Sequence, residues 1–419
     1  MIHNTIIRNN KQNKVNEKYM RLALELARKG RPSPNPYVGC VIVKDNIVIA
    51  EGYHHRCGEA HAEIDAICSY VNDTKSQIKS TKFSLRKRLN KVTEVISKKI
   101  KINKSEKIRQ LKGSTFYVNL EPCIHHGRTP PCVDKIISLK PAKVVIAMLD
   151  PNPIVKGNGV KKLREAGIDV LLGVLKDDAE ELNKSYIKYI STKIPYTILK
   201  SAVTMNWKIT WGDGRNKKIT GKESKLFSHQ LRNKVDAILV GINTVLRDDP
   251  LLTTRLDFDE NTDKICNNND HCNKSRDPLR IILDSKLKIP LSAKVLKDNN
   301  IIIFTGKTNK IPSRKKILLR KRGVRVFVCR DDKISLKKVL WVLGRMGISS
   351  VLIEGGATIN TSAIKEKVVD EIYFLVAPFV INKKNMKCVF SGNMDKLHFK
   401  KISVNKLGED FIINAVPKK

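Results

Sequence analysis

Apolar and polar positions divide the chain into two runs of regular elements. Met20, Leu22, Ala23, Leu26 and Ala27 recur at helical spacing and predict a helix over 17–29, stopped by Gly30. Residues 38–52, VGCVIVKDNIVIAEG, read as two strands around a turn at 44–46. A second helix is expected to start near Glu59 and to carry AHAEIDAICSYV. Strands follow at 115–120 and 143–148, with a helix around 132–139 between them. Residues 161–166 read as a helix stopped by Gly167, and 168–172 as a strand. A second run starts near Ile194, with strands expected at 196–202, 237–240, 280–283, 301–304, 325–328, 351–353 and 372–376. Helical patterns lie between several of them. Strands alternating with helices predict an α/β fold in both halves, with domains at 1–193 and 194–419. No internal repeat is visible.

Two stretches break the pattern. Residues 72–113 are rich in Lys, Ser, Ile and Asn, hold few acids and show no apolar face, so they read as a basic surface insertion. Residues 257–277 are polar and loop-like.

With 419 residues, two domains are the natural expectation, and 41% hydrophobic residues suffice for two cores. No apolar run approaches the roughly 18 residues of a membrane span, and the N-terminal stretch has no apolar core of a secretory signal. A cytoplasmic protein without a membrane partner is expected. Nine cysteines scattered over the chain argue for reduced thiols, some of them metal-bound, rather than a disulfide framework. The formal charge of +39 invites a nucleic-acid reading. Against it, Lys, Asn and Ile are abundant everywhere, and Phe83 is the only aromatic in the basic stretch, so base-stacking residues are missing there. No nucleic-acid partner is expected.

The chemistry concentrates at His61-Ala62-Glu63, at the start of a predicted helix, and at Cys123 and Cys132 downstream. Each is weak alone: such a tripeptide is usually surface helix, and such cysteines are usually core thiols. Together, one His and two Cys suit Zn²⁺ with a fourth position open to water, which is the catalytic rather than the structural pattern. Glu63 lies two residues from a ligand, near enough to move protons beside the metal without binding it. His-x-Glu with Pro-Cys is the pattern of zinc nucleobase deaminases, although two residues normally separate the cysteines and here there are eight. One Zn²⁺ per chain is expected.

Asn35-Pro-Tyr-Val-Gly39, His61-Ala-Glu63, Leu120-Glu-Pro-Cys-Ile-His-His-Gly-Arg-Thr-Pro-Pro-Cys132 and Asp150-Pro-Asn-Pro153 closely resemble the bifunctional riboflavin-biosynthesis deaminase/reductase family. In the second half, residues 241–255 (GINTVLRDDPLLTTR) and Ile353-Glu-Gly-Gly356 resemble its reductase part. The resemblance implies a cytidine-deaminase-like three-layer sandwich followed by a dihydrofolate-reductase-like α/β domain. It implies deamination of a diaminopyrimidinone carrying a ribosylamino 5′-phosphate, then NADPH-dependent reduction of the ribosyl group to ribityl. The substrate is therefore a small phosphorylated pyrimidine, and a homo-oligomer is expected. Residue by residue, the resemblance assigns the deaminase substrate to Asn35, His54, Arg128, Asp150 and Asn152. It assigns NADPH to Ala202, Thr244, Asp248, Ser285, Gly356, Ala357 and Thr358. It assigns the reductase substrate to Asn216, Arg232, Leu252, Arg255 and Glu354. Glycines before a helix suit phosphate, and arginines suit it by forked hydrogen bonds. His125 and His126 read as polar loop residues lining the cleft.

The reductase half departs from the family pattern in three places. Ser-Leu-Asp-Gly becomes Thr204-Met-Asn-Trp207, Gly-Glu-Ser-x-Trp-Ile-Thr becomes Gly214-Arg-Asn-Lys-Lys-Ile-Thr220, and Ala-Pro-Lys becomes Ala377-Pro-Phe379. Trp207 puts a large side chain where the backbone turns tightly or approaches a ligand. These changes predict a slower hydride step. They also raise a second reading, a deaminase whose degenerate reductase domain serves as a structural or oligomerisation scaffold.

Overall fold

The computed structural model describes residues 2–72, 104–125, 131–211, 218–256, 276–307, 313–393 and 396–418. His126, Arg128 and Asn216 lie outside them, as do 73–103 of the basic stretch and 257–275 of the polar loop. The chain divides into two compact units, Met1–Ser191 and Thr192–Lys419.

The first unit is built on β1 (Gly39–Lys44), β2 (Ile47–Tyr53), β3 (Thr115–Leu120), β4 (Lys143–Met148) and β5 (Asp169–Leu172), in the order β2-β1-β3-β4-β5. β1 runs antiparallel to β2 and β3, and β3, β4 and β5 run parallel. The turn from β1 to β2 is two residues, Asp45 and Asn46, with φ of 51° and 60°. Two left-handed residues match the twist of the strands they join, and short polar side chains tolerate that conformation. Helices cover both faces of this sheet, and two glycines show how closely. A Cβ on Gly39 would lie 2.0 Å from the Ala23 carbonyl oxygen, and one on Gly52 would lie 2.2 Å from the Ala66 nitrogen. Gly52 pairs with Cys40, the next residue after Gly39, so the two glycines face opposite sides of the sheet. The helix Ile2–Ala27 therefore rides on one face and Ala62–Asn72 on the other, giving three layers.

Two expectations for this unit are corrected. The first helix starts at Ile2, well ahead of residue 17. The polar run before Glu17 has no apolar period to announce it, whereas Met20, Ala23 and Ala27 at the far end are fully buried. The basic stretch also ends sooner than 113. Lys104–Gln110 is a helix tied to the fold: Lys107 Nζ donates to the Tyr70 carbonyl at 3.2 Å, and the Tyr70 hydroxyl donates to Gln110 Oε1 at 2.6 Å. Leu111 beside it is completely buried. Replacing 74–102 by a short Gly/Ser loop is expected to leave thermal stability and deamination close to those of the intact protein. Extending the replacement through Leu111 removes a core leucine, which costs about 2–5 kcal/mol, and thermal unfolding of the two deletions checks the difference.

The second unit holds β6 (Tyr196–Thr204), β7 (Ala237–Gly241), β8 (Leu279–Leu283), β9 (Ile301–Thr305), β10 (Arg325–Val328), β11 (Ser350–Ile353), β12 (Glu371–Ala377), β13 (Phe399–Leu407) and β14 (Asp410–Pro417). They form one sheet in the order β10-β9-β8-β7-β11-β6-β12-β14-β13. The strands from β10 to β12 are parallel, and β14 and β13 close the edge as an antiparallel hairpin. β8 and β9 are buried along their whole length, as strands covered on both faces must be. Among the described residues, no helix is long and apolar enough to cross a membrane.

Candidate active sites

In the first unit, three chain segments converge at one end of the sheet. β2 delivers His54, and His61 stands immediately before the helix Ala62–Asn72. β3 ends at Leu120 and runs into Glu121-Pro122-Cys123, while Cys132 opens the helix Cys132–Leu139. His61 Nδ1 lies 3.5 Å from Cys123 Sγ and 3.4 Å from Cys132 Sγ, and all three candidate ligand atoms fall within 4.8 Å of one another. Zinc bonds of about 2.1 Å to nitrogen and about 2.3 Å to sulfur, at tetrahedral angles, put N and S about 3.5 Å apart. The donor set and its spacing therefore fit zinc.

The backbone N–H of Cys132, at the start of its helix, points at Cys123 Sγ at 3.4 Å. Hydrogen bonds from Cys132, first through its thiol, hold Cys123 well below the ordinary thiol range. The same bond and burial push Cys132 up. Glu63 is almost fully buried, and burial pushes its carboxyl up to about 7, with the Cys123 charge adding to the shift.

A cavity of about 230 Å³ opens in front of this cluster, lined by Asn35, His54, Glu63, Cys123, Asp150 and Asn152 among others. His125 lines it as well, as expected. His54 donates from Nδ1 to the Ala60 carbonyl at 2.9 Å, so Nε2 is left to accept from Asn35 Nδ2 at 3.1 Å. Burial lowers the His54 pKa, so the ring is neutral at pH 7 and fixes the Asn35 amide in one orientation. Asp150 Oδ1 accepts from the Tyr186 hydroxyl at 2.9 Å and from the Asn152 N–H at 2.9 Å. Sequence reasoning missed Tyr186 and Tyr189, which reach the cavity from the helix Lys184–Thr192. Nothing in their spacing distinguishes them from an ordinary amphipathic face. It also gave no role to Glu121, although the motif contained it.

In the second unit, the residues assigned to NADPH gather at the carboxyl ends of parallel strands. Ala202 lies near the end of β6, Thr244 just beyond β7, Ser285 just beyond β8, and Gly356–Thr358 just beyond β11. β7, β11 and β6 are neighbours in the sheet. Ligands of open α/β sheets bind at this end. Gly355 and Gly356 have φ of 78° and 44°, left-handed values that suit glycine, and they lead into the helix Ala357–Lys365. Thr244 Oγ1 donates to the Gly355 carbonyl at 3.5 Å. Asp248 is engaged by its neighbour Arg247 at 2.7 Å.

The residues assigned to the reductase substrate divide. Arg232 grips Glu354 with a two-pronged pair at 2.7 and 2.8 Å, and Lys200 Nζ adds a third contact at 3.2 Å. Burial alone would push the Glu354 carboxyl up, but Arg232 and Lys200 outweigh it and hold the group well below the usual range. Arg232 also donates to the Thr253 carbonyl at 3.0 Å, and Arg255 reaches Thr253 Oγ1 at 3.2 Å. The Arg255 backbone N–H donates to His229 Nδ1 at 3.1 Å. Burial, followed by the Arg232 and Arg255 charges, drives His229 down to about 4. Leu252 belongs to the hydrophobic core, so only its main chain is available to a ligand. Lys200 and His229 were not singled out from the sequence.

Two of the departures from the family pattern, at 204–207 and 377–379, are hydrogen-bonded to each other. Trp207 takes φ of 61°, the left-handed conformation a glycine would adopt freely, and its ring meets Phe374 edge-on at 5.1 Å. For a non-glycine residue that conformation costs roughly 1–2 kcal/mol. Met205 N–H donates to the Phe379 carbonyl at 3.0 Å, and Asn206 Nδ2 donates to the Ile381 carbonyl at 2.8 Å. The turn after β6 is thus hydrogen-bonded to the segment after β12.

Fold and sites define a two-unit enzyme, a zinc deaminase followed by a nucleotide-dependent reductase. The family described as cytidine and deoxycytidylate deaminase zinc-binding region matches residues 13–148, and the RibD C-terminal domain matches 195–413. Riboflavin biosynthesis protein RibD of Aquifex aeolicus is 37% identical over 409 residues, covering 95% of this chain and 98% of the relative. That of Escherichia coli K12 is 32% identical over 410 residues, covering 96% of this chain and 99% of the relative. The solved structure of Acinetobacter baumannii RibD superposes with a TM-score of 0.76 at 31% identity, over 97% of this chain and 100% of the other. A Thermotoga maritima structure, described as a diaminohydroxyphosphoribosylaminopyrimidine deaminase/5-amino-6-(5-phosphoribosylamino)uracil reductase, superposes at 0.75 and 30% identity, over the same shares. The chain belongs to the RibD family of riboflavin biosynthesis enzymes, with a deaminase and a reductase in one polypeptide. The scaffold-only reading of the second unit finds no support in these matches.

Proposed function

We propose that the first unit hydrolyses the amine of a diaminopyrimidinone bearing a ribosylamino 5′-phosphate, and that the second reduces the ribosyl group of the product to ribityl with NADPH. The observation that carries the first step is the His61/Cys123/Cys132 cluster beside a buried carboxyl, Glu63, in one cavity. His61, Cys123 and Cys132 would hold the zinc, which when bound supplies a Lewis acid and makes water nucleophilic at neutral pH. Glu63 takes a proton from the attacking water and returns it to the departing amine, which leaves as ammonia. A carboxyl raised toward 7 by burial is suited to both halves of that transfer. Asn35, held by neutral His54, and the Asp150–Asn152 turn grip the ring and sugar, with Arg128 for the phosphate. Ammonia released from the diaminopyrimidinone phosphate by the purified protein tests this step.

For the second step, Ala202, Thr244, Asp248, Ser285 and Gly356–Thr358 bind NADPH. Arg232, Arg255, Glu354, Asn216 and the main chain at Leu252 bind substrate. The reading includes a cytoplasmic homo-oligomer with no nucleic-acid or membrane partner. The departures at Thr204–Trp207, Asn216 and Lys218 slow hydride transfer. Reverting these positions to the family residues is expected to raise the NADPH-dependent rate up to about a hundredfold, since small misplacements of reacting atoms cost that much, and to leave deamination unchanged. Stopped-flow NADPH oxidation with the deaminated intermediate checks this, and an unchanged rate would show the departures to be compensated.

A further inference from the structure

Three buried carboxylates line the deaminase cavity, Glu63, Glu121 and Asp150, and Glu121 has both oxygens taken up by backbone donors. Glu121 Oε1 accepts from the backbone N–H groups of Gly159 at 2.9 Å and Val160 at 3.1 Å. Its Oε2 accepts from those of Asp150 at 3.1 Å and Gly157 at 2.9 Å. With four donors on its two oxygens and only 2% of its surface exposed, Glu121 has no lone pair free for a reacting proton. Its grip spans a loop. Asp150 and Gly157 are the two ends of the turn that carries Asn152, and Gly159 and Val160 belong to the first turn of the helix Asn158–Glu165. The other end of Glu121 is fixed by sequence, one proline away from the metal ligand Cys123, and its own N–H donates to the Met148 carbonyl at 3.0 Å. Gly159 tightens the joint: a Cβ there would lie 2.5 Å from the Pro122 carbonyl oxygen, so the helix start rests directly on the ligand loop.

We propose that Glu121 is a positioning residue that sets the distance between the Cys123 ligand loop and the substrate-holding Asp150–Gly157 turn, and so governs how tightly the pyrimidine is held over Glu63. The proposal rests on the deaminase reading above. It assigns Glu121 to substrate binding, because the groups it orders are the Asp150 and Asn152 contacts, while the metal ligands and Glu63 have supports of their own. In Glu121→Gln the side chain keeps its size, but an amide NH₂ faces two of the four N–H donors, and one side of the joint opens.

The test is steady-state deamination by the full-length zinc protein, wild type against Glu121→Gln, with metal analysis, with thermal unfolding as a fold control, and with NADPH-dependent reduction of the preformed deaminated intermediate as a control on the other unit. The expected result is a KM for the diaminopyrimidinone phosphate raised about tenfold or more with kcat within a few-fold, a loss of binding rather than of chemistry. Zinc content and the reductase rate stay at wild-type values. A fall in kcat at unchanged KM would overturn the proposal by putting Glu121 in the chemistry, and loss of zinc would overturn it by making Glu121 a support of Cys123 alone. An unchanged KM and kcat would overturn it as well. Should Glu121→Gln not fold, Glu121→Asp is read by the same split, and failure of both to fold counts against the proposal. If the wild type itself does not deaminate this substrate, the failure lies in the functional reading and not in the role of Glu121.

Discussion

Glu63→Gln is expected to lower deamination by about 10²–10⁴-fold, the usual contribution of a positioned proton-transfer group, while the protein keeps its zinc. The amide has the shape of the carboxyl but cannot take a proton from water or return one to the amine. The carboxyl sits in the first turn of its helix, two residues after His61, and is buried against the Cys123 and Cys132 pair. No other carboxylate among the described cavity residues is placed to substitute. Glu121 is saturated by four backbone donors, and Asp150 is tied to Tyr186 and to its own turn. Ammonia release and metal analysis on the same preparation check the result. Turnover within a few-fold of wild type would remove Glu63 from the proton path.

Cys132→Ala is expected to lose both the metal and the deaminase reaction. Three protein ligands already leave one zinc position open, so removing one of the two sulfurs leaves one imidazole and one thiolate, too few to retain the ion through purification. Cys132 also fixes Cys123, both through its thiol and through the N–H at the start of its helix. The alanine keeps that N–H, so the loss reports the sulfur and not the helix. The reductase rate on the deaminated intermediate is expected to be unchanged, because its residues lie in the other compact unit. Stoichiometric zinc in the variant would remove Cys132 from the site.

The deaminase site was legible because its chemistry is local. His61, Glu63, Cys123 and Cys132 lie in two short segments, and the helices that start beside His61 and at Cys132 could be placed from apolar periodicity. The β1–β2 hairpin was equally plain, since Asp45-Asn46 is a strong turn signal between two apolar runs. What escaped notice depends on partners far away in sequence. Glu121 is a single acid in a strand-end motif, and its role appears only when the Asp150–Val160 segment folds over it. Tyr186 sits on a helix whose sequence gives no sign that one ring reaches Asp150. The closing hairpin of β13 and β14 was not expected, because β13 carries Lys400, Lys401 and Lys406 and leaves most of its residues exposed. An edge strand protected by charge lacks the alternation that marks a half-buried one. In the reductase unit the strands were readable as buried β-branched runs, but Lys200 looked like an ordinary strand lysine until Glu354 and Arg232 closed around it.

In the proposed reaction sequence one chain deaminates and then reduces the same pyrimidine. A coupled assay with purified zinc-loaded protein and the diaminopyrimidinone ribosylamino 5′-phosphate tests it most directly, with ammonia and NADPH followed together. Ammonia release is expected with or without NADPH, and NADPH oxidation is expected to lag behind ammonia and approach it mole for mole. In Glu63→Gln, NADPH oxidation should fall with ammonia and be restored by adding the deaminated intermediate. Absence of ammonia from the wild-type reaction, or NADPH oxidation that proceeds at full rate when deamination is blocked and no intermediate is added, would show that the chain does not carry the two steps in this order.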